Sequence, residues 1–140
     1  MRAYLAAMAW TLPAARRRPT NLGVRDGQLA ACPASPNCVS SQGARDDQAV
    51  EPIAYTGSRE HAAARIQAVF AADPRARVIE RSPDYVHVEY QAMMFVDDLE
   101  VYLPEDRNVI HIRSASRVGH SDLGANRRRV ELIRKAFAAT

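Results

Sequence analysis

The residues best suited to chemistry lie in one stretch, Arg113-Ser114-Ala115-Ser116-Arg117-Val118-Gly119-His120-Ser121-Asp122-Leu123-Gly124-Ala125-Asn126-Arg127-Arg128-Arg129. It follows a strand-like run and passes into a helix-like one. Ser114, Ser116, the backbone amides around Gly119 and the N–H groups that open the helix could all donate to one anion. A helix N-terminus offers unpaired amides and the positive end of a dipole. Arg113, Arg117, Arg127 and Arg128 would supply charge in the fork geometry that fits a carboxylate or a phosphate. Asn126 follows on the helix. From 113 to 135, seven basic residues stand against Asp122 and Glu131, a local net of +5 (7 − 2), compared with +3 for the whole chain. The same residues also have a purely structural reading. Ser121 or Asp122 caps the helix, the glycines turn the chain, and the arginines pair with Asp97, Asp98 and Glu100.

Asp97 and Asp98 form the second candidate. Neighbouring strand residues point to opposite faces, so the two cannot act as a catalytic dyad. One carboxylate would face the core side and pair with an arginine, and the other is free to pair or to hold a cation, with pairing preferred. No metal site is expected, because His61, His87, His111 and His120 lack metal-ligand spacing and read as surface residues. His87 and His111 share a polar sheet face and could approach each other across strands. Ser121, His120 and Asp122 are consecutive, so their side chains diverge, and no nucleophile elbow is present. There is no phosphate loop and no dinucleotide fingerprint, so no cofactor is expected. A net charge of +3 and aromatic residues that are not interleaved with the arginines argue against nucleic acid. All but one of the basic residues are arginine, the exception being Lys135.

The elements that must position these residues can be read from their periods. Ser58 is a good N-cap, Glu60 sits in the first turn, and Ala62, Ile66, Val69 and Phe70 recur at helical spacing until Asp73-Pro74. This predicts a helix over 58–72. The period then changes to two. Arg77 to Arg81 is a short strand, and Tyr85 to Gln91 alternates Val86, Val88 and Tyr90 against Tyr85, His87 and Glu89. Met93 to Val96 is apolar and Asp97-Asp98 interrupts it. Leu99, Val101 and Leu103 then alternate with Glu100 and Tyr102, and Ile110 and Ile112 with His111 and Arg113. A second helix starts near Ser121 or Asp122, with Asn126, Val130, Ile133 and Phe137 as its stripe. The pattern predicts an α+β fold in helix, strands, helix order. An antiparallel sheet of about four strands, with Ile53 to Tyr55 as a fifth edge strand, carries two helices on one face. Its other face, with Glu89, Glu100, Tyr102, His111 and Arg113, is either solvated or a binding surface.

Upstream, the chain divides into a leader (1–20) and an extended arm (21–52) before the globular part (53–140). Ala3 to Ala15 has the length of the apolar core of an export signal and is too short to span a bilayer. No clean cleavage site follows it, and Arg16-Arg17-Arg18 comes directly after. A tail that is disordered or packed on the domain is the alternative. Cys32 and Cys38 bracket Pro33 and Pro36. A disulfide closing this small loop needs an oxidising compartment, and two reduced cytosolic thiols are the alternative. Zinc lacks a second ligand pair, and Arg25-Asp26-Gly27-Gln28 before Leu29-Ala30-Ala31-Cys32 rules out a lipobox. Pro33, Pro36, Asn37, Ser40, Ser41, Gln42 and Gly43 argue against regular structure here.

Two long motifs carry a family resemblance. Leu22-Gly23-Val24-Arg25-Asp26-Gly27-Gln28-Leu29 leads into Cys32-Pro33-Ala34-Ser35-Pro36-Asn37-Cys38-Val39-Ser40-Ser41, and downstream stand Phe95-Val96-Asp97-Asp98-Leu99-Glu100 and the stretch from Arg113 to Glu131. Together they resemble the family catalogued as domain of unknown function 1499, from about Leu22 to the end of the chain. The resemblance implies bacterial or plastid occurrence and, in many members, an N-terminal membrane or export segment. It brings no catalytic residue, and the short leader here departs from those members. The expectation is a small domain of the cell envelope, membrane-associated or periplasmic, with a cytoplasmic location as the alternative. It would bind an anionic small molecule or a protein partner at the Arg- and Ser-rich junction, with membrane contact through its N-terminus. Two alternatives stand beside this reading. One is an enzyme acting on a small anionic or lipid-derived substrate at the same place. The other is a structural interaction domain whose arginines only hold the fold.

Overall fold

Strict alternation builds the sheet. In a computed structural model, which describes residues 17–92, 95–119 and 121–140, four long strands follow one another. They are β3 (Ala76–Ser82), β4 (Tyr85–Ala92), β5 (Phe95–Tyr102) and β6 (Val109–Ser116). All pair antiparallel, with Val88 opposite Leu99 and Val101 opposite Ile112. Two short strands come earlier in the chain, β1 (Cys38–Ser40) and β2 (Ile53–Ala54). Both lie along the outer edge of β6, β1 against Arg113–Ala115 and β2 against Val109–Ile110. The spatial order is β1-β6-β5-β4-β3, with β2 also on β6.

Among the described residues the sheet therefore has six strands, not four or five, and two of them precede the helix at Arg59–Ala72. Two local readings of the sequence are also corrected. The Pro-rich arm does contain regular structure, because Ser40 and its two predecessors reach the free edge of β6 and satisfy its backbone groups. Asp97 and Asp98 do not interrupt a strand but sit within β5, where both side chains find charged partners.

Helix α1 (Arg59–Ala72) begins where Ser58 accepts a hydrogen bond from the His61 amide, as its sequence predicts. Helix α2 (Ala125–Ala138) starts later than Ser121 or Asp122. Leu123 and Gly124 both take left-handed backbone angles, with φ of 53° and 80°, so Gly124 becomes the N-cap. Asp122 still serves the helix end from two residues further back. Its carboxylate accepts from the amides of Gly124 (2.8 Å) and Asn126 (3.1 Å). These bonds occupy amides that would otherwise be open to an anion.

One core joins the helices to one face of the sheet. Ile66 and Phe70 of α1 and Val130, Ile133 and Phe137 of α2 pack with Val86, Val88, Leu99, Val101, Ile110 and Ile112. The opposite, polar face is not open. Residues of the arm and the last part of the leader reach it, and Glu89, Glu100, His111 and Arg113 are buried there.

Candidate functional site

The junction splits between the two faces of the sheet because successive strand residues alternate. On the helix side, Asp97, Ser114 and Ser116 face α2. Ser114 donates to the Asn126 side-chain oxygen at 2.6 Å, and Arg129 donates to the same oxygen at 3.0 Å. The Asn126 amide nitrogen donates to Ser116 Oγ (2.9 Å), to Asp122 (2.7 Å) and to the Asn37 carbonyl (3.3 Å). Asn126 thus ties β6, the turn before α2 and the arm together at a buried point. Asp97 pairs with Arg129 at 2.8 Å, and the Arg129 guanidinium lies 4.7 Å from the centre of the Tyr90 ring.

On the other side the register sets Glu89 opposite Asp98 and His87 opposite Glu100, which stands opposite Arg113. Arg117 closes over these rows. Its guanidinium binds Asp98 through two nitrogens, at 2.8 and 2.9 Å, and also binds Glu89. Its side chain is 2% exposed. Arg18 from the end of the leader reaches Glu89 at 2.6 Å. Arg113 lies 3.6 Å from Glu100 and donates to the Ala31 carbonyl, while Glu100 accepts from the Gly23 amide and the Tyr85 hydroxyl. Three carboxylates thus meet three guanidiniums on this face.

The ionisation states follow from these contacts. Burial would raise the Asp98 carboxyl, but hydrogen bonds from Arg117 and His87 outweigh it and hold the group below the usual carboxylate range. An ionised Asp98 makes His87 Nε2, 2.7 Å away, the donor. Glu89 is likewise lowered, burial being outweighed by Arg18 and Arg117. Burial lowers Arg113, and it lowers His111 with help from nearby Arg107. Burial and the Glu100 hydrogen bond raise Tyr85.

Two of the histidines are not surface residues. His87 is 3% and His111 8% exposed, because the arm covers their face. They also stand on strands separated by β5, so they do not meet. His87, Glu89 and Asp98 bring three ligand-type atoms within 4.8 Å of one another. Arg117 lies between the two carboxylates and fills the position a cation would take.

The remaining junction residues turn outward. Arg127 donates to the carbonyls of Ala49 and Asp47, and Arg128 to that of Leu123. Ser121 is exposed and accepts from the Leu123 amide, Gly119 is exposed with its carbonyl bonded by Asn37, and His120 lies outside the described residues. The apolar leader lies outside them too, apart from its last residues. Among the described residues no helix is long and apolar enough to cross a membrane. A Cys32–Cys38 disulfide closes the loop before β1, with the two Cα atoms 5.7 Å apart. Sequence reasoning missed Arg129 as the partner of Asp97. Its place three residues after Asn126, on the inward stripe of α2, was the available signal.

These features describe a class, a small α+β domain whose N-terminal arm crosses the polar face of an antiparallel sheet and hydrogen-bonds to the charged cluster buried there. Residues 28–137 match the family described as protein of unknown function (DUF1499), and the chain belongs to that family. No curated protein and no solved structure matches it.

Proposed function

We propose that the protein is a binding or accessory domain of the cell envelope rather than an enzyme. On this reading the Arg- and Ser-rich junction is the frame of the fold, and ligand contacts are left to its outward-facing end. The observation that carries this is Arg117, whose guanidinium is enclosed between Asp98 and Glu89 where an incoming anion would have to compete. The other candidate groups agree. Arg113 faces Glu100, and the polar atoms of Ser114, Ser116 and Asn126 bond to one another. The Cys32–Cys38 disulfide supports an oxidising compartment.

Inorganic phosphate titrated against the folded protein and followed by amide NMR tests the frame. The expected outcome is no saturable shift across 114–126. A saturable response centred on Gly119 and Asp122 would restore the junction as an anion site. Alkylation of the protein in intact cells, before and after reductant, followed by fractionation, tests the location. Oxidised cysteines in an envelope fraction are expected, and free thiols in the cytosolic fraction would contradict it.

A further inference from the structure

A cleft of about 480 Å³ opens between the C-terminal end of α1, the turn into β3 and one side of α2. Volumes of this order hold small organic ligands. Val69, Ile133 and Ala136 line one part, with the half-exposed Leu132 at its rim. Asp73, Arg75, Tyr90, Arg128 and Arg129 line the other. One carboxylate and three guanidiniums line this end, and with Asp97 bound to Arg129 the excess is +1 (3 − 2). Arg129 is partly neutralised by Asp97, and Arg75 leans on Asp73 at 3.4 Å. Arg128 has no carboxylate within ion-pair distance among the described residues and bonds only a surface carbonyl.

Tyr90 supplies the second, independent observation. It is 4% exposed, yet its hydroxyl has no hydrogen-bond partner among the described residues. The charges that bear on that hydroxyl belong to Asp73, Arg129 and Arg75, all lining the cleft, so the phenol head lies at its charged end. A buried hydroxyl without a partner carries a desolvation cost that an acceptor in the cleft would relieve.

We infer that this cleft binds a small amphipathic carboxylate. The ligand's carboxylate sits between Arg128, Arg75 and the Tyr90 hydroxyl, and its apolar body lies along Val69, Leu132 and Ile133. The inference rests on the binding reading above and names its ligand class. Charge alone would suit phosphate as well, but the apolar half of the cleft and the single phenolic donor favour a carboxylate with a hydrocarbon body.

Titration calorimetry of the full chain with dodecanoate, held below its micelle concentration, tests this, with dodecanol and acetate as controls. Dodecanoate is expected to bind one to one, and each control to bind at least about tenfold more weakly, since each lacks one half of the recognition. Arg128→Ala should weaken dodecanoate by about tenfold or more, as expected for a lost charged hydrogen bond. Tyr90→Phe should weaken it about three- to tenfold while leaving the thermal midpoint unchanged or higher, because the deleted hydroxyl has no internal partner. Equal affinity in both variants would overturn the site. Equal affinity for dodecanol, or no dodecanoate binding by the parent, would overturn the ligand class. Those failures are separate from failure of the broader reading, which turns on phosphate at the junction and on fractionation.

Discussion

Asn126 and Asp98 show how single side chains organise this molecule. Asn126 is fully buried at the start of α2 and uses both ends of its amide, accepting from Ser114 and Arg129 and donating to Ser116, Asp122 and Asn37. Asn126→Ala leaves several of these groups without partners in a place water does not reach. A loss of about 1–3 kcal/mol is expected, read as a lower urea midpoint. Asp98 links stability to pH. Its carboxyl and that of Glu89 are held below their usual range in the folded state. The unfolded chain therefore takes up these protons first as pH falls. The stability they confer is complete above the ordinary carboxylate pKa of about 4 and is lost below it. Thermal midpoints measured from pH 7 down to pH 2 should fall mainly below about pH 4, and Asp98→Asn should flatten that slope.

At the scale of elements, helix starts and edge strands depend on few residues. Asp122 supports α2 across a glycine cap that has no side-chain bond of its own. Asp122→Ala should cost about 1 kcal/mol and raise hydrogen exchange in the first turn of α2. The disulfide closes the loop that delivers β1 to β6. Reducing it should cost about 2 kcal/mol, the chain-entropy value for so short a loop, and should loosen the β1 amides before those of β4 and β5. The long strands and both helical stripes were legible because each repeats its period over several residues. Ser58 and the inward set Asn126, Val130, Ile133 and Phe137 lie where that period puts them. Strand β1 was not legible. Three residues between prolines and glycines carry no period, and their partner lies about 75 residues downstream, where local pattern gives no information.

At the scale of the molecule, the described residues form a sheet covered twice, by two helices over its apolar face and by the arm over its charged one. The sequence shows the alternation that makes the second face polar, but not what covers it. Solvent and the arm both satisfy the same pattern, and the deciding contacts, Arg18 with Glu89 and Gly23 with Glu100, are non-local. The same holds for the candidate site. Its residues could be picked out by type, but whether they face a ligand or one another depends on which side of the sheet each occupies. Arg117 carries the proposal that they face one another, since two buried carboxylates clasp its guanidinium. The most direct test is urea unfolding of Arg117→Met beside the parent protein at pH 7. Removing one member of a buried ion cluster leaves Asp98 with His87 alone and Glu89 with the half-exposed Arg18 alone, so the variant should lose about 3–5 kcal/mol. A variant as stable as the parent would contradict the account and return Arg117 to the role of a ligand-binding residue.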